Sequence, residues 1–220
     1  MALLEINKLN YQLGNRNQYV KVDAELPGGG VLLVQGPSGA GKSTLLRLLA
    51  RLQEAGGGEA LLQGKSWREY PPNRWRLLVH YLAQKPALFE GTVLENLRLP
   101  FSTALLKAGA KFDQDRAESL LEQMLLSKNI LAQDARIISG GEAARVALTR
   151  ALLISPVVLL LDEPMAALDV KTHQAVQELL INWVKGRQDR GIVLVSHVDD
   201  PSGWPGALTF DIQPITLEGM

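Results

Sequence analysis

The stretch VLLVQGPSGAGKSTLL, residues 31 to 46, constrains the fold more than any other part of this chain. Its unbroken apolar run, Val31 to Val34, predicts a strand covered on both faces. A glycine-rich loop follows, and from Lys42 the leucines at 45, 46, 48 and 49 predict a helix. Strand, loop and helix in that order fit the pattern G-x-x-x-x-G-K-[ST] over Gly36 to Ser43. There the backbone wraps closely around phosphates. Gly36, Pro37, Ser38, Gly39, Ala40, Gly41, Lys42, Ser43 and Thr44 are therefore the expected phosphate-binding residues. Lys42 is expected to reach the β- and γ-phosphates, and the Ser43 hydroxyl to ligate Mg²⁺. A glycine-rich turn that binds nothing is the alternative.

A second motif, VVLLLDEP at 157 to 164, ends a buried strand in two carboxylates. The C-terminal edge of a parallel sheet is where α/β proteins bind ligands, so Asp162 is expected beside the loop before Lys42. It would hold Mg²⁺ directly or through water, while Glu163 polarises an attacking water. Alone, the pair would be a strand end capped by solvated acids. With the phosphate loop it defines a Mg²⁺-dependent nucleoside triphosphatase.

At 220 residues the chain is expected to form one domain. Lysine plus arginine balance aspartate plus glutamate at 23 each, which argues against a broad nucleic-acid surface. With no cysteine there are no disulfides or thiolate metal sites, in keeping with a reducing compartment. No apolar run approaches membrane-span length, and the N-terminus lacks a basic leader followed by an apolar block. A cytoplasmic chain, peripheral on the membrane's inner face through a partner, is expected.

LLEINKLNYQL and YVKVDAEL predict strands flanking a turn, with Val20, Val22, Ala24 and Leu26 on one face. Further strands are expected at EALLQG, after the glycines at 56 to 58, and at 76 to 83, leading into Gln84. From Phe89 to Ala135 leucine-rich helical segments dominate, among them AESLLEQMLLSKNIL at 117 to 131. A helical subdomain over about 88–152 is read as an insertion into a single domain spanning 1–220. The strand VVLLL, a helix from near Lys171 and the strand GIVLVS follow. The fold class is α/β: a mostly parallel core sheet, an antiparallel N-terminal β-subdomain and an inserted helical subdomain.

The segment ISGGEAARVALTRALL, 138 to 153, is a second glycine-rich helix start suited to phosphate, without a lysine. Ser139-Gly140-Gly141, a helix, and then Val157 to Pro164 resemble the signature region of ATP-binding-cassette (ABC) ATPases. With that resemblance in view, Gln84 looks like the Q-loop glutamine, AALD at 166 to 169 like the D-loop, and His197 like the switch histidine. Tyr11 is a candidate aromatic stack for adenine. Singly these have plainer readings: a polar strand end for Gln84, a structural histidine, a half-buried strand aromatic, and a helix N-terminal acid for Asp169. His80, His173 and the scattered tryptophans carry only plain readings.

The resemblance covers essentially the whole chain and implies a P-loop NTPase of the ABC type with ATP and Mg²⁺ as cofactors. It implies hydrolysis by Lys42, Glu163 and His197, with Ser43, Gln84 and Asp162 organising the metal. It also implies a head-to-tail homodimer, in which Ser139, Gly140 and Gly141 contact the γ-phosphate of ATP held by the partner's Lys42, with Asp169 nearby. A second lysine is then unnecessary, and the monomer is expected to be nearly inactive. The usual signature is L-S-G-G-Q, so Ile138 and Glu142 depart from it, as do Ala143, Ala144 and Ala166, whereas Arg145 is kept. An acid at a helix start is electrostatically comfortable.

With no membrane span in the chain, an integral-membrane permease would be a separate polypeptide, and the short stretch after His197 leaves no room for a regulatory domain. QKPALFEGTVLENLRLPF, 84 to 101, resembles the region facing transmembrane domains. Phe89, Val93 and Leu97 form a candidate docking face there, with ordinary core packing as the alternative. The short insertion and tail resemble a small bacterial group that pairs with a YbbM-type permease and is assigned to metal (iron) export. Competing readings are an importer ATPase for another solute, a degenerate regulatory subunit, and a soluble ABC protein of repair or translation. The last would carry a coiled-coil insertion, zinc-binding cysteines or a second nucleotide domain.

Overall fold

Alternating apolar residues in the first two strands make one face of an antiparallel sheet. In the computed structural model, which describes residues 2–14, 18–103, 106, 111–196 and 203–216, β1 (Ala2–Gln12) pairs with β2 (Gln18–Pro27). Leu9 lies opposite Val22 and Tyr11 opposite Val20. With β4 (Gly57–Leu62), β5 (Lys65–Ser66) and β10 (Ile215–Thr216) the order is β10-β2-β1-β4-β5. A second sheet has the order β6-β7-β8-β3-β9. It comprises β6 (Val79–Leu82), β7 (Val158–Asp162), β8 (Gly191–Val195), β3 (Val31–Gln35) and β9 (Leu208–Asp211). The β7–β8, β8–β3 and β3–β9 pairs are parallel. Every residue of β7 and β8 is buried, which is why their sequences are continuous apolar runs rather than alternating ones.

The chain forms two compact units. The first comprises Met1–Tyr81, Val157–Glu163 and Val184–Met220. Its core packs Leu4, Ile6 and Leu9 of β1 and Val20, Val22 and Leu26 of β2 with Leu160 and Val193. Leu45, Leu46, Leu48 and Leu49 of α1 (Lys42–Leu49) join them. Trp75 of α2 (Pro72–Leu78) is fully buried and its Nε1 donates to the Leu49 carbonyl at 2.7 Å, satisfying a C-terminal group of α1.

The second unit comprises Leu82–Pro156 and Pro164–Trp183. It holds α3 (Val93–Arg98), α4 (Gln114–Gln123), α5 (Gly140–Leu153) and most of α6 (Val170–Val184). Both α3 and α4 pack on α5.

The α/β class, with one antiparallel and one largely parallel sheet, is as expected. Two elements differ. The strand expected over 76–83 begins only at Val79, because Pro72 at the first helical position starts α2 and carries it through Leu78. The helical segment expected over 117–131 stops at Gln123: Leu125 turns left-handed at φ 59, and Ser127 caps a separate 3-10 turn, Lys128–Ala132. β9 and β10 were not expected at all.

Candidate functional site

The loop after β3 needs glycine at two points. Gly36 has φ 137, and a Cβ there would stand 2.8 Å from the Ile212 carbonyl oxygen. Gly41 has φ 100, and its Cβ would stand 2.5 Å from Leu13 Cδ2. Both positions combine a left-handed backbone with close neighbours, conditions only glycine meets without strain. Gly41 leads directly into α1, whose start has no side-chain cap and no acid in its first turn. Amides so placed, at the positive end of the helix dipole, suit an anion. Lys42 is buried, its Nζ donating to the carbonyls of Gly36 at 2.6 Å and Pro37 at 3.1 Å. Ser38 and Gly39 are exposed, Ala40 N–H donates to Pro37 O at 3.2 Å, and Thr44 Oγ1 accepts from Arg47 at 3.4 Å.

Asp162 ends β7 and is 4% exposed. The Ser43 hydroxyl donates to its Oδ1 at 2.9 Å, and the Tyr81 hydroxyl to its Oδ2 at 2.9 Å. Residues 119 apart in sequence thus meet at the sheet's C-terminal edge. Burial, followed by the bond to Asp162, pushes the Tyr81 phenol well up, so it remains a donor. Ser43 and Asp162 offer hard oxygens, and Mg²⁺ commonly binds one or two protein oxygens plus phosphates and water. Among the described residues there is no group of three or more histidines, aspartates and glutamates arranged to hold a metal.

Glu163 follows with φ 50, a left-handed conformation uncommon outside glycine, and its N–H donates to Val195 O at 3.0 Å. This turn takes Glu163 out of the strand's alternation.

Tyr11 requires a correction. The residue is 3% exposed and lies in the core beside Gly41, and its hydroxyl donates to the Gly41 carbonyl at 3.1 Å. A ring this buried has no open face for adenine; it braces the phosphate loop from beneath. Burial also raises its phenol pKa.

In the second unit Ser139 caps α5. Its Oγ accepts from Glu142 N–H at 3.3 Å, while Glu142 Oε2 accepts from Ser139 N–H at 2.8 Å. This reciprocal capping box gives Glu142 a local reason that dipole electrostatics alone did not supply. The bonds to Ser139 hold its carboxyl below the usual carboxylate range. Gly140 has open space where a Cβ would be. A Cβ on Gly141 would stand 3.2 Å from Ala167 O and 3.4 Å from Leu168 Cδ2, so α5 begins beside the 166–169 turn. Arg145 ties this start down, Nε to Gly141 O at 3.1 Å and Nη1 to Met124 O at 3.0 Å. Asp169 accepts from Thr172 N–H at 3.0 Å and from its hydroxyl at 2.6 Å, which depresses its carboxyl pKa. Gln84 is exposed just past β6. His197 lies outside the described residues.

The docking face proposed from the sequence also changes. Val93 and Leu97 are 0% exposed and belong to the core of the second unit, leaving Phe89, 54% exposed, as its one surface member. Arg150 lies 5.7 Å from the Phe89 ring centroid. Asn96, buried and unremarked in the sequence, clasps the preceding loop. It accepts from Phe89 N–H at 2.7 Å and donates to the carbonyls of Phe89 at 2.9 Å and Thr92 at 3.0 Å. Tyr81 was missed too, although a tyrosine in a core strand advertises a hydroxyl needing a partner.

A glycine-wrapped loop at a helix start, with a serine hydroxyl bonded to a buried strand-end aspartate, has the geometry that suits a phosphate. Residues 19–166 match the model of the ABC transporter family. The chain is 34% identical over 198 residues to the probable iron export ATP-binding protein FetA of Escherichia coli, covering 90% of this chain and 86% of FetA. It is 36% identical over 199 residues to the aliphatic sulfonates import ATP-binding protein SsuB of Zymomonas mobilis, covering 88% and 75%. The dimeric post-hydrolysis structure of the ATP-binding cassette MJ0796 bound to ADP and Pi superposes with a TM-score of 0.78 at 24% identity, over 99% of this chain and 100% of that one. This chain belongs to the ABC transporter family, as an ATP-binding ATPase subunit. Among the described residues no helix is long and apolar enough to cross a membrane.

Proposed function

We propose that the chain hydrolyses ATP in a head-to-tail dimer with a second copy of itself and so drives a separately encoded membrane permease from its inner face. The observation that supports this is the Ser43–Asp162 bond beside the Lys42 loop, which brings together a hydroxyl and a carboxylate of the kind that hold Mg²⁺. In this reading the loop amides and Lys42 bind phosphates, and Ser43, Gln84 and Asp162 hold Mg²⁺ and its waters. Glu163 orients the attacking water, His197 supports the γ-phosphate, and Ser139, Gly140, Gly141 and Asp169 face the other copy's nucleotide. Bound Mg²⁺ supplies charge stabilisation on the transferring phosphoryl group. The dimeric state of MJ0796 supports the pairing.

Metal export is the solute reading, supported by FetA, of which this chain covers 86%. SsuB, an importer subunit by name and of similar identity, supports the importer alternative. Steady-state hydrolysis by wild type and Glu163→Gln tests the enzyme: the variant should bind ATP and lose turnover. Wild-type protein that hydrolyses no ATP, alone or with its permease, would overturn the proposal.

A further inference from the structure

Asp162 is nearly sealed from solvent, and each of its carboxylate oxygens accepts one hydroxyl: Ser43 at Oδ1 and Tyr81 at Oδ2, both at 2.9 Å. Buried polar oxygens require such partners, yet neither hydroxyl adds positive charge. The two differ in how they are held. Ser43 lies in the first turn of α1, directly after the glycine-rich loop, and its hydroxyl can rotate toward a ligand. Tyr81 is carried by β6, and its ring sets where its hydroxyl stands.

We propose that Tyr81 is a positioning residue for the metal: its bond to Oδ2 fixes the carboxylate plane of Asp162, which with Ser43 would hold the cation. This rests on the reading of Ser43 and Asp162 as metal-binding residues. Were the Ser43 oxygen engaged by a cation, the Tyr81 bond would remain to orient Asp162. Groups that orient a ligating carboxylate in this way typically govern metal affinity by about 10- to 100-fold. Ring packing alone would not act specifically on the metal, so Tyr81→Phe isolates the hydroxyl.

The test uses the full chain as wild type, Tyr81→Phe and Asp162→Asn. Mn²⁺ binding in the presence of ADP is followed by electron paramagnetic resonance, and ADP binding in EDTA by equilibrium dialysis. Tyr81→Phe should bind ADP in EDTA within about twofold of wild type while its Mn²⁺ affinity falls by about tenfold or more. In hydrolysis the Mg²⁺ concentration for half-maximal rate should rise in step, with the rate at saturating Mg²⁺ largely retained. Mn²⁺ affinity unchanged in Tyr81→Phe but lost in Asp162→Asn would overturn the role of Tyr81 and leave the metal reading standing. Unchanged affinity in Asp162→Asn would overturn both.

Discussion

Replacing Ser139 by alanine separates the structural and functional duties of the α5 start. The substitution removes the hydroxyl that accepts from Glu142 N–H at 3.3 Å, but leaves the backbone N–H that donates to the Glu142 carboxylate at 2.8 Å. Half the capping box survives, so the cost should sit near the ordinary N-cap value of about 1 kcal/mol. In a domain of this size that is a drop of about 2–4 °C in Tm, read by circular dichroism in EDTA without nucleotide. Ser139→Asp restores a capping oxygen and should melt close to wild type. It also puts a carboxylate where the proposal puts the partner's γ-phosphate, so its hydrolysis should be lost. Ser139→Asp melting as low as Ser139→Ala would refute the capping argument. Ser139→Asp hydrolysing at the wild-type rate would refute the placement of Ser139 against phosphate. Glu142 adds a pH signature. Its folded pKa is depressed, so its contribution is present above the reference value of 4.5 and lost as pH falls through the folded value. The stability gap between wild type and Glu142→Gln should therefore narrow as pH is lowered below that range.

Three further outcomes follow from the geometry. Gly41→Val meets a left-handed backbone and the Leu13 side chain, and should cost about 1–3 kcal/mol while weakening nucleotide binding, measured by thermal melting and equilibrium dialysis. Asn96→Ala removes three bonds to the loop before α3 and should cost about 2 kcal/mol, with faster amide exchange at Phe89. Tyr11→Leu should lower Tm by several degrees and leave the preference for ATP over GTP unchanged; lost preference at an unchanged Tm would restore the stacking role.

Much of the first unit was legible because its determinants are local. The Gly36–Thr44 stretch carries its own conformational demand, and the buried runs of β3, β7 and β8 declare a covered parallel sheet. Helix boundaries inside the second unit were less legible. A left-handed Leu125 breaks a leucine-rich run that looks continuous by composition, and Val93 and Leu97 face inward for reasons only their packing reveals. Tyr11 was misread because aromatic type and position are the same whether a ring covers a ligand or sits under a loop. The Tyr81–Asp162 pair joins residues 81 apart, and no local pattern encodes such a meeting. Glu142 was visible as a departure from the usual signature, but its exchange of hydrogen bonds with Ser139 needed the helix start to be built.

The proposed composite ATP site is tested most directly by the mass of Glu163→Gln protein in saturating ATP, determined by light scattering during size-exclusion chromatography. The expected result is a dimer retaining two ATP molecules, and a monomer that still binds ATP when Ser139→Arg is added. Monomeric Glu163→Gln with ATP bound, or a dimer indifferent to Ser139→Arg, would contradict it.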